Sequence, residues 1–308
     1  MASDLDDRIS VRLQEQGLVG AVWATVGPTG EVAVGAAGRK DARRPQLLDG
    51  RDRVQVGSVA KPVLATGILL LASQGRVSLD DPVTSLLTDV AFENPWEATD
   101  PLRLHHLLDQ TSGLDDARLW QVFSLQATPD TPLSEVFTRD PGVLKVRSRP
   151  GTRFSYSNMG YTLAGRVIEA VTGERYESFL ANKLLAPLGM HDSTFGFVTQ
   201  EGPGADTRLA MGHFEGGATQ AAVPTYVRPA GQLTTTATDI ARFARFLMSD
   251  GRLQGKAFID PALLRAMGHA PETEAARAGL RPGYGLGLYT RDRNGVVGRC
   301  HGGSTVGY

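Results

Sequence analysis

The hydrophobic positions near the start of the chain follow three different patterns. Leu5, Ile9 and Leu13 repeat every four residues and Gly17 follows, which predicts an amphipathic helix that ends at a glycine. The stretches LVGAVWATV and EVAVGAA flank GPTG and predict a β-hairpin. SVAKPVLATGILLLASQG is too apolar for a solvated surface, so it predicts a buried helix with Pro62 in its first turn.

The rest of the chain changes from a helical pattern to strands. From Gly75 to about Gly268 the apolar spacing is mostly helical, with loops rich in glycine and proline. Near the end, GYGLGLYTR and GVVGRCHG flank DRNG, in which Asn294-Gly295 is a strong hairpin turn. The order is therefore strands, a long helical region, and strands again.

This order predicts an α+β fold in which the terminal strands share one sheet. Residues 1–57 with 276–308 would form an α/β lobe, and residues 58–275 a mainly helical lobe, within effectively one domain. A cleft between two lobes is a favoured place for a small-molecule site.

Composition and charge exclude several classes of protein. The chain has 308 residues, a formal net charge of −1 and no basic run, so nucleic acid is not an expected partner. The longest apolar run, near 63–72, is too short for a membrane span. MASDLDDRIS is polar and predicts a cytoplasmic protein, although a removed leader would allow a periplasmic or secreted one. Cys300 is the only cysteine, so no internal disulfide is expected.

The first candidate for chemistry is GSVAK. Ser58 and Lys61 are three residues apart at a predicted helix start, so their side chains share a face. The serine would have free backbone N–H groups beside it and a lysine that can take its proton. The same motif fits an N-cap serine with a solvated lysine, but the apolar run that follows favours a site.

Two further motifs are weak when taken alone. In FSYSNMGY, Tyr156 and Asn158 point the same way if the segment is extended, and a phenol near an ammonium would favour its phenolate as a base. In the C-terminal CHGGS, His301 would line a cleft. The alternatives are a core-packed tyrosine with a turn asparagine, and a core histidine on a twisted strand.

Together the three motifs carry a resemblance. S-x-x-K, Y-x-N and H-G-G follow one another in the order found in penicillin-recognising serine enzymes. The stretches GRVSLDDPV, LRLHHLLDQTSGL, LLAPLGMHDSTF and PAGQLTTTATDIARF agree with this order. From about Val19 to Tyr308 the chain resembles class C β-lactamases, family VIII carboxylesterases and D-alanyl-D-alanine carboxypeptidases. The resemblance implies a β-lactamase/transpeptidase-like α+β fold, with an antiparallel sheet flanked by helices and the site between sheet and helical lobe.

The resemblance also implies roles for individual residues. Ser58 would be the acylated nucleophile, and Lys61 and Tyr156 would transfer its proton. Asn158 would bind Lys61 and the substrate. No metal or organic cofactor would be needed.

At the C-terminal motif, the resemblance implies an oxyanion hole made by the backbone N–H groups of Ser58 and Ser304. The substrate carbonyl oxygen would approach the backbone of Gly302 and Gly303. His301 takes the position of a lysine in β-lactamases and of a histidine in many esterases. A histidine is mostly uncharged at neutral pH, so a fixed charge that would bind a substrate carboxylate is missing.

The sequence departs from the family pattern at three places. Gln110 replaces a histidine before TSGL, and Gln232 stands where AGGL is common. Related enzymes continue past H-G-G with a further strand and a closing helix, so these two elements are expected to be missing. A truncated chain, a cleaved chain with a partner fragment and a natural short form would each explain this.

Three functional hypotheses follow for a small-molecule ester or amide substrate. The first is a carboxylesterase on small or short-chain esters, and the second a β-lactamase or D-Ala-D-Ala carboxypeptidase. The third is a penicillin-binding or sensor protein without turnover, or an inactive fragment. G-x-S-x-G and H-E-x-x-H are absent, and the histidines show no metal spacing. The segment 119–146 is expected to cover the cleft, with Trp120 and Phe123 as wall candidates or as ordinary core aromatics. The oligomeric state stays open.

Overall fold

The computed structural model describes residues 2–270, 273–280 and 283–308. The helices are α1 (Ala2–Glu15), α2 (Ala60–Ser73), α3 (Val83–Leu86), α4 (Leu104–Leu108), α5 (Leu119–Val122), α6 (Glu135–Arg139), α7 (Asn158–Thr172), α8 (Tyr176–Leu180), α9 (Arg228–Gly231), α10 (Ala237–Leu247), α11 (Pro261–Ala266) and α12 (Glu274–Arg277). The strands are β1 (Gly20–Val26), β2 (Val32–Gly38), β3 (Val54–Gln55), β4 (Gly212–His213), β5 (Thr219–Gln220), β6 (Thr234–Thr235), β7 (Arg252–Leu253), β8 (Lys256–Ala257), β9 (Gly283–Tyr284), β10 (Tyr289–Arg293) and β11 (Val296–Cys300). No helix within these residues has both the length and the apolar character needed to cross a bilayer.

The first helix and the first hairpin form as the hydrophobic pattern predicts. Strands β1 and β2 pair antiparallel from Gly20 with Gly38 to Val26 with Val32. Both α1 and α10 pack against this hairpin. The predicted helix stop, Gly17, has a φ of +63°, a left-handed conformation that favours glycine.

Two buried helices form the centre of the helical region. Helix α2 is buried from Ala60 to Leu71, as its continuous apolar sequence predicts. Helix α7 packs against α2, α3, α4, α8 and α9. Because α2 and α7 pack against each other, the segments that precede them, with Ser58 and Tyr156, are held by the same rigid core.

The last strands form a separate antiparallel sheet in the order β9, β10, β11. The turn between β10 and β11 contains Asn294 and Gly295 with φ of 54° and 80°, so the predicted asparagine-glycine hairpin is confirmed. Strand β11 ends at Cys300, and His301 lies just beyond it.

The architecture is α+β, as predicted, but the expectation of one sheet shared by both ends of the chain is wrong. Among the described residues, β1–β2 and β9–β11 are separate sheets, and the remaining strands form two-stranded pairs. Alternating hydrophobic residues identify a strand without identifying its neighbour, so the pattern does not determine how strands combine. The division into lobes at 57/58 and 275/276 stays a prediction.

Candidate active site

The candidate nucleophile, Ser58, lies in a tight turn directly before α2. The turn is a 3₁₀ segment, Gly57–Val59, in which Gly57 has a φ of +50°. A Cβ on Gly57 would lie 2.5 Å from the carbonyl oxygen of Ser304, so both the conformation and the close approach favour glycine. The serine side chain is half-buried at the start of the most apolar helix.

Lys61 is fully buried beneath this serine. Its Nζ lies 2.9 Å from Ser58 Oγ, 2.7 Å from Asn158 Oδ1 and 2.8 Å from the carbonyl oxygen of Ala230. Burial lowers the pKa of Lys61 to about 7, and the charge of Asp116 opposes part of this shift. A substantial fraction of Lys61 is therefore a neutral amine near pH 7.

The hydrogen bonds also orient this amine. A neutral amine has two N–H donors and one lone pair. The Ala230 carbonyl and Asn158 Oδ1 only accept hydrogen bonds, so they take the two N–H groups. The lone pair then faces Ser58, which is the orientation needed to accept the hydroxyl proton.

Tyr156 lies next to the same amine, with the centre of its ring 4.8 Å from Lys61 Nζ. Burial raises the pKa of Tyr156 well above its ordinary value, and a hydrogen bond with Ser58 offsets only part of the rise. The expectation of a favoured phenolate is therefore wrong, because burial disfavours the anion and the nearby lysine is only partly charged near pH 7. Tyr156 stays a phenol that can donate a proton.

We expect Tyr156→Phe to lower kcat/KM for an ester substrate by roughly a hundredfold to ten-thousandfold, the usual size of a general acid–base contribution. The ring and its packing remain, so the fold should not change. Steady-state kinetics with a thermal melt on the same sample measure both quantities. Full activity in this variant would contradict a proton-transfer role for Tyr156.

Asn158 is the first residue of α7, so the Y-x-N motif spans a helix start rather than an extended segment. Ser157 caps the helix by accepting a hydrogen bond from the N–H of Gly160. The Asn158 backbone N–H donates to Asp116 Oδ1 at 2.7 Å, and its Nδ2 donates to Asp116 Oδ2 at 3.2 Å. Sequence reasoning missed Asp116, because nothing in TSGLDD indicates that this loop residue binds the start of a helix 42 positions later.

His301 contacts Tyr284, whose ring is a neighbour of the Tyr156 ring. Its Nε2 is 2.9 Å from the Tyr284 hydroxyl, and the rings of Tyr284 and Tyr156 are 6.3 Å apart. Burial lowers the pKa of His301 to about 4, and nearby Lys61 contributes to the lowering. His301 is thus neutral at pH 7. Sequence reasoning also missed Tyr284, which links the histidine to the tyrosine cluster.

The segment after His301 lies against the turn that carries Ser58. A Cβ on Gly303 would overlap the Val56 carbonyl oxygen and would lie 3.0 Å from the Ser58 nitrogen. Gly302 faces open space, so a substrate has room there. Within the described residues neither the Ser58 N–H nor the Ser304 N–H donates to a backbone acceptor. Both amides are available as oxyanion donors.

A cleft of about 100 Å³ opens beside Ser58. Its lining, as far as the structure describes it, consists of uncharged residues: Gln55, Gly57, Ser58, Val122, Phe123, Asn158, Val223, Thr225, Val227, Ala230, Gly231, Gln232, Ser304 and Thr305. Of the two alternatives given for Phe123, a wall residue and an ordinary core aromatic, the structure supports the wall residue. Trp120 does not line the cleft and instead packs edge-on against Tyr226, with 5.6 Å between ring centres.

The sequence of residues 5–308 matches the family model described as Beta-lactamase. The chain belongs to the beta-lactamase family. The resemblance drawn from the three motifs is thereby confirmed, and with it the β-lactamase/transpeptidase-like fold.

The relatives of this chain include a penicillin-binding protein, an esterase and an amidase. It is 28% identical over 262 residues to penicillin-binding protein 4 of Amycolatopsis lactamdurans, covering 82% of this chain and 66% of that one. It is 34% identical over 213 residues to esterase EstB of Burkholderia gladioli, covering 65% and 53%. The structure of D-amino acid amidase from Ochrobactrum anthropi SV3 superimposes with a TM-score of 0.77 at 27% identity, covering 98% and 84%. The chain spans between about half and two thirds of the length of the first two relatives.

Two positions that depart from the family pattern lie close to the site. Gln110 has a left-handed backbone, with a φ of 63°, and its Oε1 accepts a hydrogen bond from the N–H of Ser157 at 2.7 Å. Its carbonyl oxygen accepts the N–H of Ser155 at 2.8 Å, so Gln110 holds the chain on both sides of Tyr156. Gln232 lines the cleft and donates from Nε2 to the Phe195 carbonyl at 2.9 Å.

Proposed function

We propose that this beta-lactamase family member is a serine hydrolase that cleaves small, neutral carboxylic esters through an acyl-Ser58 intermediate. The observation that carries the proposal is the buried Lys61 amine, which lies 2.9 Å from Ser58 Oγ and has two other partners that only accept hydrogen bonds. In the neutral amine these two partners take both N–H groups, so the lone pair faces the serine. The similarity to esterase EstB is in keeping with this reaction.

In the acylation step, Ser58 Oγ attacks the ester carbonyl carbon and its proton passes to Lys61 Nζ. The carbonyl oxygen becomes an oxyanion and accepts hydrogen bonds from the backbone N–H groups of Ser58 and Ser304. When the tetrahedral intermediate collapses, the bond to the alcohol oxygen breaks and the Tyr156 phenol supplies the proton to the alcohol. Lys61 returns its proton to the Tyr156 phenolate, so both groups regain their starting state.

Deacylation repeats these transfers with water as the nucleophile. The neutral Lys61 amine takes a proton as water attacks the acyl carbonyl carbon. The bond to Ser58 Oγ then breaks, and that oxygen regains a proton through Lys61 and Tyr156. The sum of both steps is ester plus water giving carboxylic acid plus alcohol.

The preference for a neutral acyl group follows from the electrostatics of the cleft. None of the described residues that line it carries a formal charge, and His301 stays neutral because burial lowers its pKa to about 4. A substrate carboxylate would lose its hydration without gaining a cationic partner among the described residues that line the cleft. β-Lactam and peptide carboxylates are therefore poorer ligands than an uncharged acyl chain.

A substrate panel tests this preference. We expect kcat/KM for p-nitrophenyl butyrate to exceed that for p-nitrophenyl hemisuccinate, which carries a carboxylate at a similar chain length, by about tenfold to a hundredfold. A chromogenic cephalosporin completes the panel, and Ser58→Ala provides the blank. Faster turnover of the charged ester or of the cephalosporin would contradict the proposal.

Hydrolysis of amino acid amides is the second candidate, and one observation favours it. Gln232 is 7% exposed, and its Oε1 has no hydrogen-bond partner among the described residues. An N–H group of a substrate in the cleft would satisfy this acceptor. The similarity to D-amino acid amidase is in keeping with such a substrate. Turnover of a D-amino acid amide above that of the neutral esters would favour this candidate.

A further inference from the structure

We infer that Asp116 is a positioning residue that fixes the amide orientation of Asn158 and thereby keeps the Lys61 lone pair facing Ser58. This inference rests on the proposed function, because it concerns the same proton transfer. It assigns a role in acylation to a carboxylate that does not line the cleft.

The Asn158 side-chain amide has one atom that accepts hydrogen bonds, Oδ1, and one that donates them, Nδ2. Asp116 is exposed, and its carboxylate only accepts hydrogen bonds. It receives the Asn158 backbone N–H at 2.7 Å and Nδ2 at 3.2 Å. Because Nδ2 is held by the carboxylate, Oδ1 is the atom that faces Lys61, at 2.7 Å.

If the Asn158 amide turned over, Nδ2 would face Lys61 and would donate a hydrogen bond to the amine lone pair. The lone pair would then be occupied and would no longer accept the Ser58 proton. Among the described residues, Asn158 is the one side chain besides Ser58 that bonds the buried amine. The Ala230 carbonyl would still hold one N–H, but one acceptor alone leaves the second N–H free to turn toward Ser58.

The charge of Asp116 has a separate and measurable effect. Asp116 acts on Lys61 through its charge, and the ring centres of Tyr156 and Tyr161 lie 4.8 and 5.6 Å from Lys61 Nζ. His301 is a further titratable group nearby, and Lys61 contributes to the lowering of its pKa. Burial raises the pKa of both tyrosines, and it lowers that of His301 to about 4, so these three stay neutral near pH 7. Asp116 is the charged group that acts on Lys61, and it raises the pKa of the amine.

The Asp116→Asn substitution changes both the orientation of the Asn158 amide and the charge near Lys61. It therefore distinguishes these two effects from a role of Asp116 in stabilising the fold alone. The amide oxygen of the substituted side chain still accepts the Asn158 backbone N–H, so its NH₂ group comes to face the Asn158 side chain and favours the inverted amide. The probe is a fluorophosphonate, whose reaction forms an Oγ–P bond on Ser58 and releases fluoride. The labelling rate therefore does not depend on which ester the protein prefers as a substrate. The rate of labelling is measured from pH 5 to about pH 9, a range that spans the change in charge of Lys61.

We expect the maximal labelling rate of Asp116→Asn to fall by about tenfold to a hundredfold, and the midpoint of its rise with pH to move lower. Asp116→Glu keeps the charge but displaces the oxygens, so its maximum should fall while its midpoint stays. Asp115→Asn is the matched control, because this neighbouring carboxylate pairs with Arg147 and Arg118 rather than with Asn158. It should keep the wild-type maximum and midpoint.

A double-mutant cycle tests whether the effect passes through Asn158. In an Asn158→Ala background, Asp116→Asn should cost no further maximal rate, because no amide remains to be oriented. An equal loss in both backgrounds, or a wild-type maximum in Asp116→Asn, overturns the inference. If wild-type Ser58 is not labelled, the proposed function fails instead, so the two failures are distinguishable. If Asp116→Asn does not fold, Asp116→Glu is measured with Asn158 present and with Asn158→Ala. A loss of maximal rate that occurs only when Asn158 is present supports the inference, and an equal loss in both overturns it.

Discussion

Ser58→Ala is expected to abolish ester turnover, with a loss on the order of 10⁵- to 10⁶-fold, because no other group can take over the role of a covalent nucleophile. Intact-protein mass spectrometry after fluorophosphonate treatment should show one adduct on the wild type and none on the variant. Since the Ser58 side chain bonds only Lys61 and Tyr156 within the part of the chain that the structure describes, the melting temperature should change little.

The matched control for this substitution is Ser134→Ala. Ser134 stands before α6 and makes no capping hydrogen bond with its side chain, so its removal should leave both the adduct and the turnover intact. An adduct that persists in Ser58→Ala would place the nucleophile elsewhere.

The second large effect is expected at Lys61. Lys61→Met fills a similar volume without a base, and it should lower kcat/KM on the order of 10⁴- to 10⁶-fold, since removing the base of a concerted nucleophile–base pair costs nearly as much as removing the nucleophile. In the proposed mechanism, activity requires the neutral amine, which is the form present above the pKa. Activity should therefore rise with pH, with a midpoint near the Lys61 pKa of about 7.

No descending limb is expected below about pH 9, because burial raises the pKa of Tyr156 and the phenol keeps its proton. His301 should not contribute above about pH 5, since its pKa is lowered to about 4. The measurement is kcat/KM against pH for a neutral ester, with Lys145→Met as the control. Lys145 is a surface lysine paired with Glu93. A bell-shaped profile centred on neutral pH would contradict a neutral Lys61 as the base.

The features predicted correctly from the sequence depend on short spacings. Ser58 and Lys61 are in contact because three residues at a helix start place two side chains on one face. The hairpin at Asn294-Gly295 forms because these residues adopt positive φ at low cost. In both cases the chain's own geometry brings the residues together, so the pattern alone is informative.

The features that sequence reasoning missed depend on distant partners or on burial. Asp116 meets Asn158 across 42 positions, and nothing in the local sequence of either residue indicates the pair. The protonation state of Tyr156 depends on the water removed around it, which the motif does not describe. Even Gln110, noted as unusual, gave no sign that it binds the backbone on both sides of Tyr156.

The contact of the Gly303 segment with the turn at Ser58 also has a consequence for the order of folding. The serine and its lysine are brought together by one helical turn, which forms early and locally. The Ser304 amide reaches the turn at Ser58 only when residues far apart in the sequence come together, which closes a loop that contains most of the chain. Closing this loop costs conformational entropy, and contacts made elsewhere must offset that cost first. We therefore expect the Ser304 amide, the proposed second oxyanion donor, to be in place only after the helical core has formed. The proposed nucleophile and its lysine would come together earlier.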